Sequence, residues 1–485
     1  MTHDDGHPHR HVAFAAVAVG TFMSTLDASI VNVALPTLAE EFGVGLGAVE
    51  WVVLGYLLAL AGLMLNAGRA ADVLGRGRVY AVGLGIFALA SASCAAAGTI
   101  PFLVGARVVQ GVGGAMMNAA GPAILTAVFP ARQRGRVLGT VGLAVSAGLA
   151  AGPAIGGLII DALNWRWIFL PNVPLAVVGA LVILRALPGG RQSDAPAKPK
   201  AERTQAGASL ARSAGEGQSS SHARRERYDV PGAVLLALCL GSLTLGLSIG
   251  GRGGFASPAV LGLFGAAVVL GAVFVAVELR HPAPVVDLAL FRSRVFRGSA
   301  AAGLLVFVTV GAVNLVMPFF LSEAHGLSTG QMGLVLTAMP LALAIVSPLS
   351  GWAADRTGST RAIATTGAVL AALALLVLSR IAETASLAGI AACLACMGLA
   401  VGTFQSPNNS ALMGAVPRHH LGTAGGVMAT VRVSGLLVGN AVGAASFAAV
   451  GTSERGLAVA AFVGAGAGLL AALASLARGK LPARA

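Results

Sequence analysis

The sequence predicts an all-α integral membrane protein of fourteen transmembrane helices, two blocks of six with a pair inserted between them and both termini cytoplasmic. Three observations carry this. Hydrophobic residues make up 56% of the 485-residue chain and charged residues only 11%, less than half the charged share of a soluble protein. Apolar stretches of about twenty residues, the length that crosses a bilayer as a helix, recur along the whole chain. Lys and Arg are sorted between alternate loops: of 32, 26 fall on one side, four on the other (Arg166, Arg252, Arg380, Arg455) and two within spans (Arg107, Arg432). The basic side is therefore cytoplasmic, and the net charge of +13 needs no nucleic acid to explain it.

Residues 1–11 form a cytoplasmic N-terminus. The first bundle, 12–187, holds spans near 12–36, 49–68, 79–98, 101–129, 136–160 and 166–187. Its first span is too long for a signal-peptide core and leads into Glu40-Glu41 without a cleavage site, so it stays as helix 1. Residues 188–229 are rich in Ala, Ser, Gly, Lys and Arg and poor in large apolar residues, which reads as a disordered cytoplasmic linker. Two inserted helices, near 231–250 and 257–277, fill 230–279, and a basic loop follows at 280–297. The second bundle, 298–477, holds spans near 298–321, 330–353, 362–380, 385–412, 422–449 and 456–477, before a cytoplasmic tail at 478–485. The 66 glycines suit helices that must approach closely where lipid supplies no hydrophobic drive. Cys393 and Cys396 form an isolated C-x-x-C inside an apolar span and read as packing, with no metal site.

The two six-helix blocks repeat one another. Gly68-Arg-Ala-Ala-Asp72-Val-Leu-Gly75-Arg76-Gly-Arg78 follows the second span of one, and Gly351-Trp-Ala-Ala-Asp355-Arg356-Thr-Gly358 follows the second span of the other. Repeats of this kind build alternating-access transporters, with substrate bound between the halves near the midplane. Helix 1 also carries a carboxylate, Asp27, deep in apolar sequence. Such a group is costly unless paired, protonated or wetted, and marks a functional site by default. Asp27 lies roughly 13 Å and Arg107 of helix 4 roughly 9 Å from the outer ends of their helices at the helical rise. Their similar depth makes them candidate partners in proton coupling, the alternative being a static pair that fixes helix 1 to helix 4.

Several motifs together resemble the major facilitator superfamily and its fourteen-helix drug/proton antiporter branch. These are Leu26-Asp27-x-x-x-x-Asn32-x-x-x-Pro36, the Gly68 to Arg78 loop, Arg107-x-x-Gln110-Gly111-x-Gly113, and Gly148-x-x-x-Gly152-Pro153-x-x-Gly156-Gly157. Asn164-Trp165-Arg166 to Pro174, Tyr228-Asp229-x-x-Gly232 and Pro282-x-Pro284-x-x-Asp287 add to the likeness. The resemblance implies the major facilitator fold. It makes Asp72, with Arg76, Arg78 and Arg136 as available bases and Asp355 as the weaker second copy, a cytoplasmic gate that engages a helix N-terminus of the other half. It makes Gly148, Gly152, Pro153, Gly156 and Gly157 the helix 5 antiporter motif.

Candidate cavity groups are Met23, Asn32, Tyr56, Asn66, Gln110, Asn118, Asn314, Phe320, Gln405, Asn408 and Asn409, although for any one of them ordinary packing competes. Glu50, at the outer end of helix 2, is a proton or substrate candidate whose alternative is an exposed interfacial carboxylate. Arg432, an intramembrane cation, is a second proton or substrate candidate, and the sequence leaves open whether it pairs with backbone carbonyls at the Pro407 break or repels cations. The expected activity is proton-coupled export of amphipathic, drug-like molecules across a bacterial inner membrane by a monomer. The alternatives are a narrow self-resistance exporter of one metabolite or lipid, or a non-transporting sensor. No cofactor is expected: no G-x-x-x-x-G-K-[ST] loop is present, so the proton gradient would drive the cycle.

Overall fold

The computed structural model describes residues 10–186, 230–281, 288–384, 386–417, 421–450 and 453–479. The expectations for the linker at 188–229, for Tyr228 and Asp229, for Pro282, Pro284 and Asp287, and for both terminal stretches, 1–9 and 480–485, lie outside the described residues. So does the side chain of Arg136.

Among the described residues fourteen helices are long and apolar enough to cross a bilayer. The first bundle contains α1 (Arg10–Phe42), α2 (Leu46–Leu74), α3 (Arg76–Ala95), α4 (Ile100–Val128), α5 (Ala131–Ala162) and α6 (Trp165–Ala186). The inserted pair is α7 (Val230–Gly253) and α8 (Pro258–Arg280). The second bundle contains α9 (Arg294–His325), α10 (Thr329–Thr357), α11 (Thr360–Ile381), α12 (Leu387–Gly414), α13 (Leu421–Ala448) and α14 (Ser453–Ala477). An even number of crossings returns the chain to the face it started from, called here the terminal face; the opposite one is the far face. Apolar side chains such as Leu89, Val268 and Leu279 stand 70% exposed or more, as a lipid-facing surface requires.

Two helices depart from their expected course. Helix α1 runs on past Pro36 to Phe42. Helix α9 breaks between Asn314 and Met317, because Pro318 has no N–H to give the carbonyl four residues earlier, that of Asn314. Of the inserted pair, α8 packs on α7, and α7 packs on α2 and α13, where its Ala237 sits on Gly62 and its Gly251 on Ala445. Helix α7 therefore straddles a seam between the bundles.

Helix α5 is the other seam. Its Gly148, Gly152 and Gly156 recur every four residues, which puts them on one face, and that face lies on Phe22, Ser29 and Ile30 of α1. The Pro153 carbonyl and Gly157 face the other way, against Gly333 and the Thr329 carbonyl of α10. A Cβ on Gly152 would stand 2.9 Å from the Ser29 Cβ and 3.2 Å from the Ile30 nitrogen. Gly152→Ala is therefore expected to destabilise the protein by about 1–3 kcal/mol through overpacking. Gly142→Ala on the same helix, where nothing lies within 4 Å, is the control, and equal unfolding midpoints for the two in a denaturing-detergent titration would contradict this packing.

Candidate functional site

Asp27 and Arg107 meet at the heart of the first bundle. Asp27 is fully buried and Arg107 is 1% exposed, and Arg107 Nη1 lies 2.6 Å from Asp27 Oδ2. Gln110, one turn along α4 and so on the same face, donates from Nε2 to Asp27 Oδ1 at 2.9 Å. Asn172, in the first turns of α6, donates to the same oxygen at 2.9 Å. The carboxylate thus receives three bonds from two other helices, one of them charge-assisted.

The donors are themselves held. Arg107 Nε donates to the Val52 carbonyl at 3.0 Å, its Nη1 also donates to Gln110 Oε1, and its guanidinium lies 4.3 Å from the Tyr56 ring centre. Gln110 Nε2 also donates to Ser91 at 2.8 Å. Tyr56 and Gln110, expected on a cavity wall, thus serve this cluster. Asn172 was read only as part of the Asn164 to Pro174 motif at the entry to helix 6, and Ser91 was not singled out: nothing in their local spacing says that they reach helices 1 and 4.

The gate loop is formed, and its Asp72 carboxylate is paired within the first bundle. Asp72 is 54% exposed and pairs with Arg76 of its own loop at 3.0 Å, while Arg76 also reaches the Ala123 carbonyl at 3.2 Å. Arg78 is exposed, and so is Asp355. Gly68 makes only ordinary contact with Ala119. Gly75 has φ +97° and Gly358, at the matching place in the second copy, has φ +64°. Both turns use a positive φ, which glycine adopts at least cost.

At the far face the bundles are tied together. Asp161, at the end of α5, accepts from the Ser328 hydroxyl at 2.7 Å and from the Gly330 N–H at 2.9 Å, so it caps the N-terminus of α10, where negative charge is favoured. Thr37 of α1 and Thr329 of α10 share a bond of 3.3 Å. The Trp165-Arg166 motif anchors the same end of the first bundle. Trp165 Nε1 donates to Glu41 Oε2 at 2.5 Å and Arg166 Nη1 to Glu41 Oε1 at 2.9 Å. Asp161 was not among the expected site residues, since a carboxylate at a helix end has no sequence feature that sets it apart from a solvated loop charge.

Other expectations are redistributed. Glu50 is not an exposed interfacial carboxylate: it is 1% exposed and accepts from Ser248 of α7, whose hydroxyl also takes a bond of 3.1 Å from Arg252. Met23 and Phe320 are fully buried and belong to core packing. Asn118 is bonded within its own helix to the Gly114 carbonyl. Asn408 donates to the Ser299 carbonyl and accepts from Arg478, both at 3.0 Å. Arg478, assigned by sequence to a cytoplasmic tail, is instead 1% exposed in the second bundle and also donates to the Thr360 carbonyl at 2.7 Å. Asn66, Asn314, Gln405 and Asn409 are half-buried, whereas Asn32 is 8% exposed with its Oδ1 unbonded.

The profile of the Major Facilitator Superfamily matches residues 17–440 and, in a second match, 299–484. The chain belongs to that family. Its relatives include the multidrug resistance protein Stp of Mycobacterium tuberculosis, 33% identical over 88% of this chain and 74% of the relative. The riboflavin transporter RibZ of Clostridioides difficile is 28% identical over 90% of this chain and 88% of the relative. The tetracenomycin C resistance and export protein of Streptomyces glaucescens is 30% identical over 88% and 74%. This major facilitator is therefore a multi-pass membrane transporter whose relatives include drug-resistance proteins, and membership implies transport rather than catalysis.

The buried pair makes a specific energetic prediction. Removing one member strands the other's charge at a cost of about 3–5 kcal/mol. Arg107→Gln and Asp27→Asn are each expected to lower the unfolding midpoint, and the double variant to lose less than the sum. Strict additivity in that double-mutant cycle would show that the two groups are not coupled.

Proposed function

We propose that this transporter is a proton-coupled exporter of amphipathic, drug-like compounds that works by alternating access. The observation that carries the proton coupling is Asp27, a fully buried carboxylate bonded to Arg107, Gln110 and Asn172 inside a membrane span. As a carboxylate it keeps all three donors and neutralises Arg107. Protonation removes the charge, frees the guanidinium and weakens the tie between α1 and α4. A pathway that wets the site first from one face and then from the other can load the proton outside and release it inside. With the terminal face taken as cytoplasmic, the closed far face and the pairing of Asp72 within its own bundle correspond to the stage at which substrate is collected from inside.

The broad substrate range rests on relatives such as Stp, which is described as a multidrug resistance protein. A second reading, export of one metabolite, draws on RibZ, described as a riboflavin transporter. Growth of a pump-deficient host challenged with unrelated neutral and charged compounds separates the two; protection against a single chemotype would sink the broad reading.

Two predictions test the cycle. In proteoliposomes under an imposed pH gradient, Asp27→Asn is expected to abolish uphill transport while leaving downhill exchange, and uphill transport by the variant would refute the proton role. Asp161→Ala is expected to favour far-face opening. A cysteine placed at Leu38, which is fully buried, should then react about two- to fivefold faster with a reagent added from that face, the weight of one charge at a helix terminus. An unchanged rate would remove Asp161 from the far-face closure.

A further inference from the structure

Arg432 lies eleven residues into α13 (Leu421–Ala448), about 16 Å along its axis. That is mid-depth, too far from either end for the side chain to reach lipid headgroups, an escape open only to residues near helix ends. Among the described residues nothing gives Arg432 a hydrogen bond, an ion pair or an aromatic face. The contrast with Arg107 is complete: that guanidinium has Asp27, Gln110, the Val52 carbonyl and the Tyr56 ring. Among the described residues no acid at its depth is free to serve Arg432. Asp27 is taken, and Glu323 and Asp355 stand near helix ends.

The packing of α13 fixes where Arg432 points. Val431, Gly435 and Gly439 lie against Gly303, Phe307 and Val308 of α9, Gly426 against Leu65 of α2, and Ala445 against Gly251 of α7. At 3.6 residues per turn Arg432 projects about 100° from Val431 and about 60° from Gly435, the α9 contacts that bracket its height, and about 140° from Ala445, so it stands to one side of the α9 contact and away from α7. From Thr423 to Phe447 no described residue is exposed, so α13 presents no face to lipid. Arg432 is nevertheless half-buried, as are Met428 and Leu436 one turn below and above it. This strip is a cation without a partner among the described residues, flanked by half-buried apolar side chains.

We infer that Arg432 is an anion-binding residue of the transport cavity, selecting amphipathic substrates that carry a carboxylate or similar oxyanion, with their apolar body along Met428 and Leu436. The inference rests on the transport reading above. A guanidinium presents two parallel N–H groups that match a carboxylate, and an unneutralised cation in a low-dielectric cavity attracts an anion and repels a cation far more strongly than it would in water.

The test is a binding measurement on the full-length protein in detergent, which needs no gradient. Three fluorescent amphiphiles on one naphthalene scaffold, ending in a carboxylate, a primary amide or a primary amine, are titrated by anisotropy. The wild type is expected to bind the carboxylate about tenfold tighter than the amide, the scale of one hydrogen bond to a charged group, and the amine weakest. Arg432→Gln should erase that gap while leaving amide binding within about twofold, which also reports a folded cavity, and Arg432→Lys should keep part of it. Equal binding of all three probes by the wild type overturns the inference, as does a carboxylate preference that survives Arg432→Gln. Uphill transport by Asp27→Asn with the preference intact would instead fault the proton-coupling reading alone.

Discussion

A fully buried carboxylate in an apolar helix has to be neutralised, and the first bundle is arranged around the way Asp27 is. Arg107 supplies the charge, but a guanidinium has more donors than one carboxylate can accept, so its Nε is turned to the Val52 carbonyl of α2. That contact needs α2 and α4 close together. Glycine makes it possible: a Cβ on Gly111 would stand 2.6 Å from the Tyr56 carbonyl and one on Gly113 would stand 2.7 Å from the Gly83 carbonyl of α3, separations that real side chains do not tolerate. The motif Arg107-x-x-Gln110-Gly111-x-Gly113 thus combines two donors aimed at α1 with two gaps that admit α2 and α3. Charge and packing are one device here.

Helix α5 does the corresponding work between the bundles. One face grips α1 through Gly148, Gly152 and Gly156, and the other meets α10 through Pro153, Gly157 and Asp161. Because α1 also carries Asp27, the charged cluster and the far-face closure are joined by one packed path. Close-packed interfaces have discrete arrangements rather than a continuum, so a change in the grip of α1 on α4 has a short mechanical route to the α5 and α10 contact.

Much of this was legible in one dimension. Fourteen spans follow from hydropathy, and the pairing of Asp27 with Arg107 follows from a fixed rise per residue that equates sequence distance with depth. Partners that come from the other side of a bundle were not legible. Asn172 reaches Asp27 only because α6 folds back beside α1. Glu50 looked interfacial because Ser248, which buries it, is on an inserted helix nearly two hundred positions away. Met23 and Phe320 looked adaptable and proved to be core, since composition marks a side chain as apolar without saying whether helix or cavity lies opposite. Asp161 carries the same ambiguity for charge: only the position of α10 turns it from a loop acid into a cap.

The three guanidiniums inside the described fold are treated in three ways, and the difference orders their chemistry. Arg478 is surrounded by neutral acceptors, the hydroxyl of Ser299, the amide of Asn408 and the Thr360 carbonyl, none of which titrates near neutral pH, so its bonds are permanent features of the second bundle. Arg107 is bonded to a carboxylate, the one kind of partner here that a proton can discharge. Arg432 has no partner among the described residues, and in the reading proposed above a ligand anion supplies it. A fixed bond, a bond that a proton can break and a bond that a ligand must complete need three guanidiniums in three surroundings, and residue type alone distinguishes none of them.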